Sequence, residues 1–240
     1  MTYCVGLLLN DGMVLLSDTR TNAGLDNIST YRKMFTFEET GERVIVIMTA
    51  GSLSVTQTTI AQLREAIEDP EASPETSIML APTLLKVAEI VGNKLAAVRA
   101  EIDHKLSAAQ GASASMIVAG QRKGGAMRMF LIYPEGNFIE ATEDAPFLQI
   151  GEHKYGKPIL DRVVKPTTSL SDAQKAVLLS MDSTLRSNLS VGMPLDLAVI
   201  ERDSCKVGLK RRIEAGDPGF RAMSEAWSTA LRDGFARIEV

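Results

Sequence analysis

The second residue of the chain is a threonine, and its place beside the initiator methionine makes it a candidate nucleophile. Removal of Met1 would leave Thr2 as the first residue, with its hydroxyl next to its own α-amine. Because that amine has a reference pKa of about 7.7 to 8.0, an appreciable fraction is unprotonated near neutral pH and can accept the hydroxyl proton. Attack on a carbonyl would then give an ester intermediate. By itself, Thr2 also fits an ordinary chain start.

Two charged residues add to this interpretation. Asp18 ends the second predicted strand and Lys33 begins the third. Adjacent strands of one sheet would bring both side chains beside Thr2. There a lysine would favour the deprotonated nucleophile, and Asp18 would orient that lysine and keep it charged. Each residue alone also fits a strand-end charge in water.

Other kinds of reactive site are disfavoured. The two histidines, His104 and His153, have no second ligand at the spacing of a zinc site, so we expect neither a metal nor another cofactor. Cys4 falls inside a predicted strand, where a cysteine acts as a small hydrophobic residue. There is no Gly-x-Ser-x-Gly turn for a serine triad. The start of the chain is therefore the leading candidate site.

The first third of the chain is predicted to be mainly strands. Residues 3–9 and 13–17 form a hairpin around Asp11-Gly12, a dipeptide that tolerates positive φ. An irregular polar stretch at 19–30 is followed by strands at 33–38 and 43–49, which end at Ala50-Gly51. Four strands therefore carry Thr2, Asp18 and Lys33.

The rest of the chain mixes helices with further strands. A Ser54–Gln57 capping box predicts one helix, and a longer one is predicted from Ser73-Pro74 towards Leu106, ending at Gln110-Gly111. A helix is predicted near 154–163, and a second capping box, Ser171–Gln174, predicts another reaching about Asn188. The remaining predicted strands lie at 113–120, 126–133, 146–151, 195–201 and 206–213.

A last amphipathic helix is predicted after Asp217-Pro218. Its apolar stripe, which we expect to pack in the core, consists of Phe220, Met223, Trp227 and Leu231. Segregated runs of strands and helices favour an α+β fold of antiparallel sheets covered by helices. No linker or repeat divides residues 1–240, so a single domain is predicted.

Composition excludes several classes of protein. The 240 residues carry 26 Lys and Arg against 30 Asp and Glu, a net charge of −4, and 45% are hydrophobic, which excludes disorder. Two distant cysteines cannot form a disulfide scaffold and indicate a reducing compartment, so a cytoplasmic location is predicted. The N-terminal apolar run lacks the basic region of an export signal. Lys and Arg are not in excess, so we expect neither nucleic acid nor a membrane as a partner.

Together these residues resemble the β subunits of the proteasome, members of the N-terminal nucleophile hydrolases. The resemblance rests on Thr2, the Asp-Gly hairpin, Ser-Asp-Thr-Arg at 17–20 with Ala23-Gly24, Lys33, and Thr-Ala-Gly at 49–51. Segments 1–6, 17–28 and 151–158 are more narrowly similar to the Anbu family of bacterial proteasome homologues. The resemblance implies a four-layer αββα sandwich.

It also implies a role for each matching residue. Thr2 would be nucleophile and base, Asp18 and Lys33 its electrostatic pair, and Gly51 the donor of an amide to the oxyanion. Ser190 would be a further residue of the catalytic site. Residues expected to hold an extended peptide are Thr21, Asn22 and Leu53.

Three features depart from the family pattern. The interval from Asp18 to Lys33 is one residue shorter than in ordinary proteasome β subunits. Where the family commonly has Gly-Ser-Gly, this chain has Glu152 in place of the serine, and Ser187 stands where the family has an acid. The resemblance implies a threonine peptidase acting on peptides or proteins, assembled as a homo-oligomeric ring or open spiral, with an unfolding ATPase as a further partner. The alternatives are an assembly protein of the same fold without turnover, and an amidase for a small non-peptide amide.

Overall fold

The computed structural model describes residues 2–22, 28–105 and 112–239. Its strands and helices, in chain order, are β1 (Tyr3–Leu9), β2 (Gly12–Asp18), β3 (Arg20–Asn22), β4 (Ile28–Thr30), β5 (Met34–Glu39), β6 (Arg43–Gly51), α1 (Leu53–Glu68), α2 (Leu84–Lys105), β7 (Ala114–Arg122), β8 (Arg128–Ile132), β9 (Phe138–Glu140), β10 (Phe147–Gly151), α3 (Lys157–Val163), α4 (Leu170–Ser187), β11 (Leu195–Glu201), β12 (Leu209–Ile213) and α5 (Pro218–Ala236). The predictions for Met1, Ala23-Gly24, Leu106 and Gln110-Gly111 lie outside the described residues.

Two five-stranded antiparallel sheets form the centre of the fold. The first has the order β10-β1-β2-β11-β12 and the second the order β5-β6-β7-β8-β9, while β3 and β4 form a separate two-stranded ribbon. Helices α3 and α4 cover the first sheet, and α1 and α2 cover the second. The predicted α+β sandwich of four layers is confirmed.

The hydrophobic run of the β1–β2 hairpin follows from its place between two layers. Alternate residues, among them Val5 and Leu16, face α3 and α4, and the intervening ones, among them Cys4 and Leu15, face the second sheet. Because both faces are buried, the strands read as continuous apolar runs instead of alternating ones. The start of β1, where Thr2 lies, is one end of this buried hairpin.

The predicted start of the long second helix is wrong. Residues near Ser73 form only isolated turns, one of them closed by the bond from Ser77 N to Ser73 O, and α2 begins at Leu84, ten residues after Pro74. Pro82 has no amide hydrogen for a helix interior, and the Thr83 hydroxyl accepts from Lys86 N at 3.1 Å. The Pro-Thr pair was therefore the actual start signal.

Two predicted caps are displaced by two residues. Ser54 lies inside α1, whose N-cap is Ser52, and no side chain caps that helix. Ser169, not Ser171, caps α4 and accepts from Asp172 N at 3.1 Å. In each case the predicted serine occupied the first turn, where it cannot act as the cap.

The described parts of segment 19–30, residues 19–22 and 28–30, form more regular structure than predicted. It was expected to be irregular, but β3 and β4 pair in antiparallel register, Arg20 with Thr30 and Thr21 with Ser29. The strands are only three residues long, too short for an alternating pattern to be recognised in the sequence.

Helix α5 begins as predicted but does not stay in the core. The Asp217 side chain caps it by accepting from Phe220 N at 2.8 Å. Phe220, Met223 and Trp227 are half-buried, whereas Leu231 is exposed, so only the first part of the stripe packs against the domain. None of the described helices is both long and apolar enough to span a membrane.

Candidate active site

A buried ion pair lies where the two sheets meet at the start of β1. Lys33 Nζ donates to Asp18 Oδ1 at 2.8 Å, and both side chains are almost wholly inaccessible to solvent. Lys33 Nζ also donates to the carbonyl oxygen of Arg20. The lysine is therefore fixed by a strand end on each side, from β2 and from β3.

The Asp18 carboxylate is bound at both oxygens. Oδ1 accepts from Tyr3 N at 3.1 Å, and Oδ2 accepts from Gly192 N at 3.2 Å. Burial raises the pKa of Asp18 above its ordinary value, while Lys33 and the two amides act in the opposite direction. The short Asp18–Lys33 interval thus leaves the predicted pair intact.

Thr2 is buried beside this pair. Its carbonyl oxygen accepts from Glu152 N at 2.7 Å, and the next residue, Tyr3, donates its amide to Asp18. Gly151 has φ +81°, and a Cβ at that position would overlap the Thr2 carbonyl. The backbone on both sides of Thr2 is therefore held by hydrogen bonds, which places the residue within a few ångströms of Asp18.

Gly51 lies at the end of β6 on the same side of the fold. Thr49 N donates to Lys33 O at 2.9 Å, and Cys4 Sγ approaches Thr49 O at 3.7 Å, so this strand end adjoins both Lys33 and β1. Successive amides of a strand alternate between its two edges, which directs the Gly51 amide to the edge that Lys33 occupies. Gly51 has φ +104°, and an added Cβ would overlap Ser113 O, so only glycine fits.

A polar cluster that sequence reasoning missed holds the start of β1 on the face that α4 covers. The Tyr3 hydroxyl is hydrogen-bonded to Ser180 Oγ at 2.5 Å and accepts from Gln149 Nε2 at 2.6 Å. Burial raises the pKa of Tyr3 to about 12. The cluster joins β1, β10 and α4 directly after Thr2, but the spacing of its members along the chain gives no signal.

The other predicted site residues lie at the same end of the sandwich, less directly connected. Thr21 and Asn22 are in β3, and Leu53 is the first residue of α1, two positions after Gly51. Ser190 is half-buried in the loop that leads to Gly192, and its amide donates to Asn188 Oδ1 at 2.9 Å. No hydrogen bond among the described residues joins the side chains of Thr21 and Ser190 to Thr2.

The departures from the family pattern fall on both sides of this region. Glu152 is half-buried and contacts Thr2 through its amide, whereas Ser187 is exposed at the end of α4. His153 is exposed, and in the described part of the chain no group of three or more His, Cys, Asp or Glu could hold a metal. Burial raises the pKa of the Cys4 thiol, which makes it a poor nucleophile.

Comparison with known proteins places this arrangement in a family. The family model described as proteasome subunit matches residues 2–200. The structure of an Anbu (Gly-1) mutant from Hyphomicrobium sp. strain MC1 is 48% identical, with 100% of this chain and 99% of that chain covered and a TM-score of 0.93. Comparison with curated proteins gives no match.

Two further solved structures agree. Anbu from Yersinia bercovieri is 42% identical over 99% of this chain and 98% of that chain, with a TM-score of 0.91. The helical assembly of the Anbu complex from Pseudomonas aeruginosa is 43% identical over 99% and 97%, with a TM-score of 0.92. The chain therefore belongs to the proteasome subunit family, and within it to the Anbu proteins.

Proposed function

We propose that this chain is a threonine peptidase that hydrolyses peptide bonds with Thr2 as nucleophile once Met1 has been removed. The observation that carries the proposal is the buried Asp18–Lys33 pair. Asp18 accepts a hydrogen bond from the amide of Tyr3, the residue that follows Thr2. Burying two charges costs several kcal/mol per ion unless their geometry is good, and so an ion pair at the edge of a core invites a functional explanation.

The chemistry proceeds in two steps. Thr2 Oγ1 bonds to the substrate carbonyl carbon while its proton passes to the α-amine, and the resulting oxyanion accepts a hydrogen bond from the Gly51 amide. The carbon–nitrogen bond then breaks, and the leaving amine takes the proton from the α-amine. Water, deprotonated by the same amine, hydrolyses the ester and restores Thr2. Lys33 keeps its charge throughout and lowers the energy of the developing alkoxide.

The substrate is proposed to lie along β3 as an added strand. In the described part of the chain β3 pairs with β4 along one edge, so its other edge can pair with a peptide. Thr21 and Asn22 would contact the peptide, and Leu53, at the start of α1, would line the pocket for one side chain. Ser190 would complete the site from the opposite loop.

An assembly protein without turnover is the second candidate function. Glu152 takes the place of a serine of the family directly beside Thr2, and Ser187 takes the place of an acid, so two groups of the family site are changed. One relative forms a helical assembly. We propose that this chain is a homo-oligomer under either function. A cytoplasmic location and an unfolding ATPase partner stay predictions.

Labelling of Thr2 tests the proposal. We expect an N-terminal-threonine-directed inhibitor to modify the chain, and intact mass to show that only molecules lacking Met1 react. Peptide mapping should place the adduct on Thr2, Thr2→Ala should abolish it, and the exposed Thr40→Ala should leave it unchanged. A wild-type chain that begins at a free Thr2 and remains unlabelled would exclude the peptidase and favour the assembly protein.

A further inference from the structure

Arg20 contacts the loop at residues 188–192 that leads into β11. Its Nη1 donates to Leu189 O at 2.9 Å. Its guanidinium also packs on Gly192, where an added Cβ would overlap Nε and Cζ. One side chain from the start of β3 therefore holds this loop at two points.

The same loop reaches the Asp18 carboxylate. Gly192 N donates to Asp18 Oδ2, while Thr19 N donates to Gly192 O at 3.4 Å. Because Lys33 and Tyr3 N occupy Oδ1, the Gly192 amide is what engages the second oxygen. A carboxylate bound at both oxygens has one orientation, whereas one bound only at Oδ1 can rotate about its Cβ–Cγ bond.

The glycine at 192 is explained by the arginine and not by the backbone. Its φ lies outside the left-handed region that favours glycine, unlike those of Gly51 and Gly151. The missing side chain therefore serves to make room for the Arg20 guanidinium. Two residues far apart in sequence, Arg20 and Gly192, thus fit one another directly above the buried pair.

We propose that the Arg20 side chain is a positioning residue for hydrolysis at Thr2: it clamps the 188–192 loop so that the Gly192 amide stays on Asp18 and Lys33 stays aligned. The inference rests on the proposed function of Thr2. The Thr21 side chain lies on the other face of β3, because side chains alternate along a strand. Loss of the Arg20 side chain therefore acts on the chemical step more than on peptide binding.

The test measures the maximal labelling rate and the inhibitor dissociation constant separately. With Arg20→Met, which keeps the apolar stem but has no donor, we expect the maximal rate to fall about 10-fold, since small misplacements at a reacting centre are costly. The dissociation constant should change less than about twofold. Arg20→Lys should recover part of the rate, because an ammonium can reach Leu189 O but lacks the planar group that covers Gly192.

Arg202→Met is the matched control. Arg202 also donates to backbone carbonyls, those of Leu9 and Asn10, but at the opposite end of the hairpin. Its loss should lower the Tm without changing the maximal labelling rate. A similar fall in both arginine variants would show a general loss of folding and overturn the positioning role.

Gly192→Ala gives an independent variant. Its Cβ should displace the guanidinium and slow labelling about as much as Arg20→Met, and in the Arg20→Met background it should add less than about twofold. Effects that multiply in the double variant, or an unchanged rate in Arg20→Met, would overturn the proposal while labelling of Thr2 in the wild type still supports the peptidase. An unlabelled wild type starting at Thr2 overturns both.

Discussion

The Thr2 end of the sandwich buries charged side chains, whereas the second half of α5 exposes apolar ones. At the Thr2 end, Asp18 and Lys33 are charged but almost fully buried, and every oxygen of the carboxylate has a donor from the same chain. In α5, Leu231 and Phe235 are apolar but 53% and 80% exposed. Each region breaks the usual rule for its residue types.

The difference separates chemistry from assembly. The contacts of Asp18 and Lys33 all come from the same chain, so this ion pair forms without a group from a second copy. Helix α5 is locked to α4 by a closed set of bonds among Asp182, Arg186 and Ser224, yet beyond it the apolar side chains face solvent in the single chain. Exposed apolar residues on a rigid helix are typical of an interaction surface.

Lys33→Ala should give the largest effect and tests the electrostatic role of the buried pair. It removes the cation beside Thr2, so labelling and peptide cleavage should fall about 10³- to 10⁴-fold, as when an orienting member of a catalytic triad is lost. It also leaves Asp18 buried without its partner, which costs about 3 to 5 kcal/mol of the free energy of unfolding. Labelling kinetics and urea unfolding measure the two effects.

Lys210→Ala is the control, because Lys210 is an exposed lysine on β12. It should change neither the labelling rate nor the stability by a measurable amount. Lys33→Arg keeps the charge but cannot reproduce a compact ammonium donating to both Asp18 and the Arg20 carbonyl, and it should stay well below wild type. Normal turnover in Lys33→Ala would remove the electrostatic role of the pair.

Gly51→Ala should have an intermediate effect and tests the proposed oxyanion donor at the Thr2 end of the sandwich. At φ +104° a Cβ is strained and would also overlap Ser113 O, so the end of β6 must shift. We expect about 100-fold slower labelling, since the oxyanion donor moves with the backbone. Stability should fall by about 1 to 3 kcal/mol, measured by urea unfolding.

Gly41→Ala separates strain from displacement. Gly41 has φ +81° in the β5–β6 turn, but no atom lies within 4 Å of the position of an added Cβ. It should lose stability to a similar strain and keep the labelling rate of the wild type. If Gly51→Ala labelled as fast as Gly41→Ala, the amide of Gly51 would not be the oxyanion donor.

The sequence predicted the residues of the buried pair because each lies at a strand boundary that short-range pattern defines. Asp18 ends an apolar run, Lys33 precedes another, and Gly51 closes a third. The predicted route between them was wrong, however: β2 lies in the first sheet, whereas β5 and β6 lie in the second. The pair therefore forms between the two sheets and not between adjacent strands of one sheet. The α+β sandwich followed from the same segregated runs.

The residues that hold the pair could not be predicted in this way. Gly192 is 174 positions from Asp18, and Ser180 is 177 from Tyr3, so neither contact has a local signal. The exposed end of α5 was missed for a different reason: an amphipathic stripe shows that a helix has an apolar face, but not whether its own domain covers that face. The start of α2 was missed because a serine-proline pair outweighed Pro82 and Thr83.

Phe235→Ser should have the smallest effect on the labelling of Thr2 and tests whether the exposed end of α5 is an interaction surface. Phe235 is exposed on α5, so its replacement should change the free energy of unfolding by less than about 0.5 kcal/mol and leave labelling of Thr2 at the wild-type rate.

If a second copy of this chain covers the exposed end of α5, loss of the aromatic ring should lower the assembled mass, measured by sedimentation at several concentrations. Glu225→Ser, an exposed polar change on the same helix, should leave that mass unchanged. An unaltered assembly in Phe235→Ser would mean that oligomers of this chain form without the end of α5, whereas a slower labelling rate would mean that assembly and chemistry are coupled.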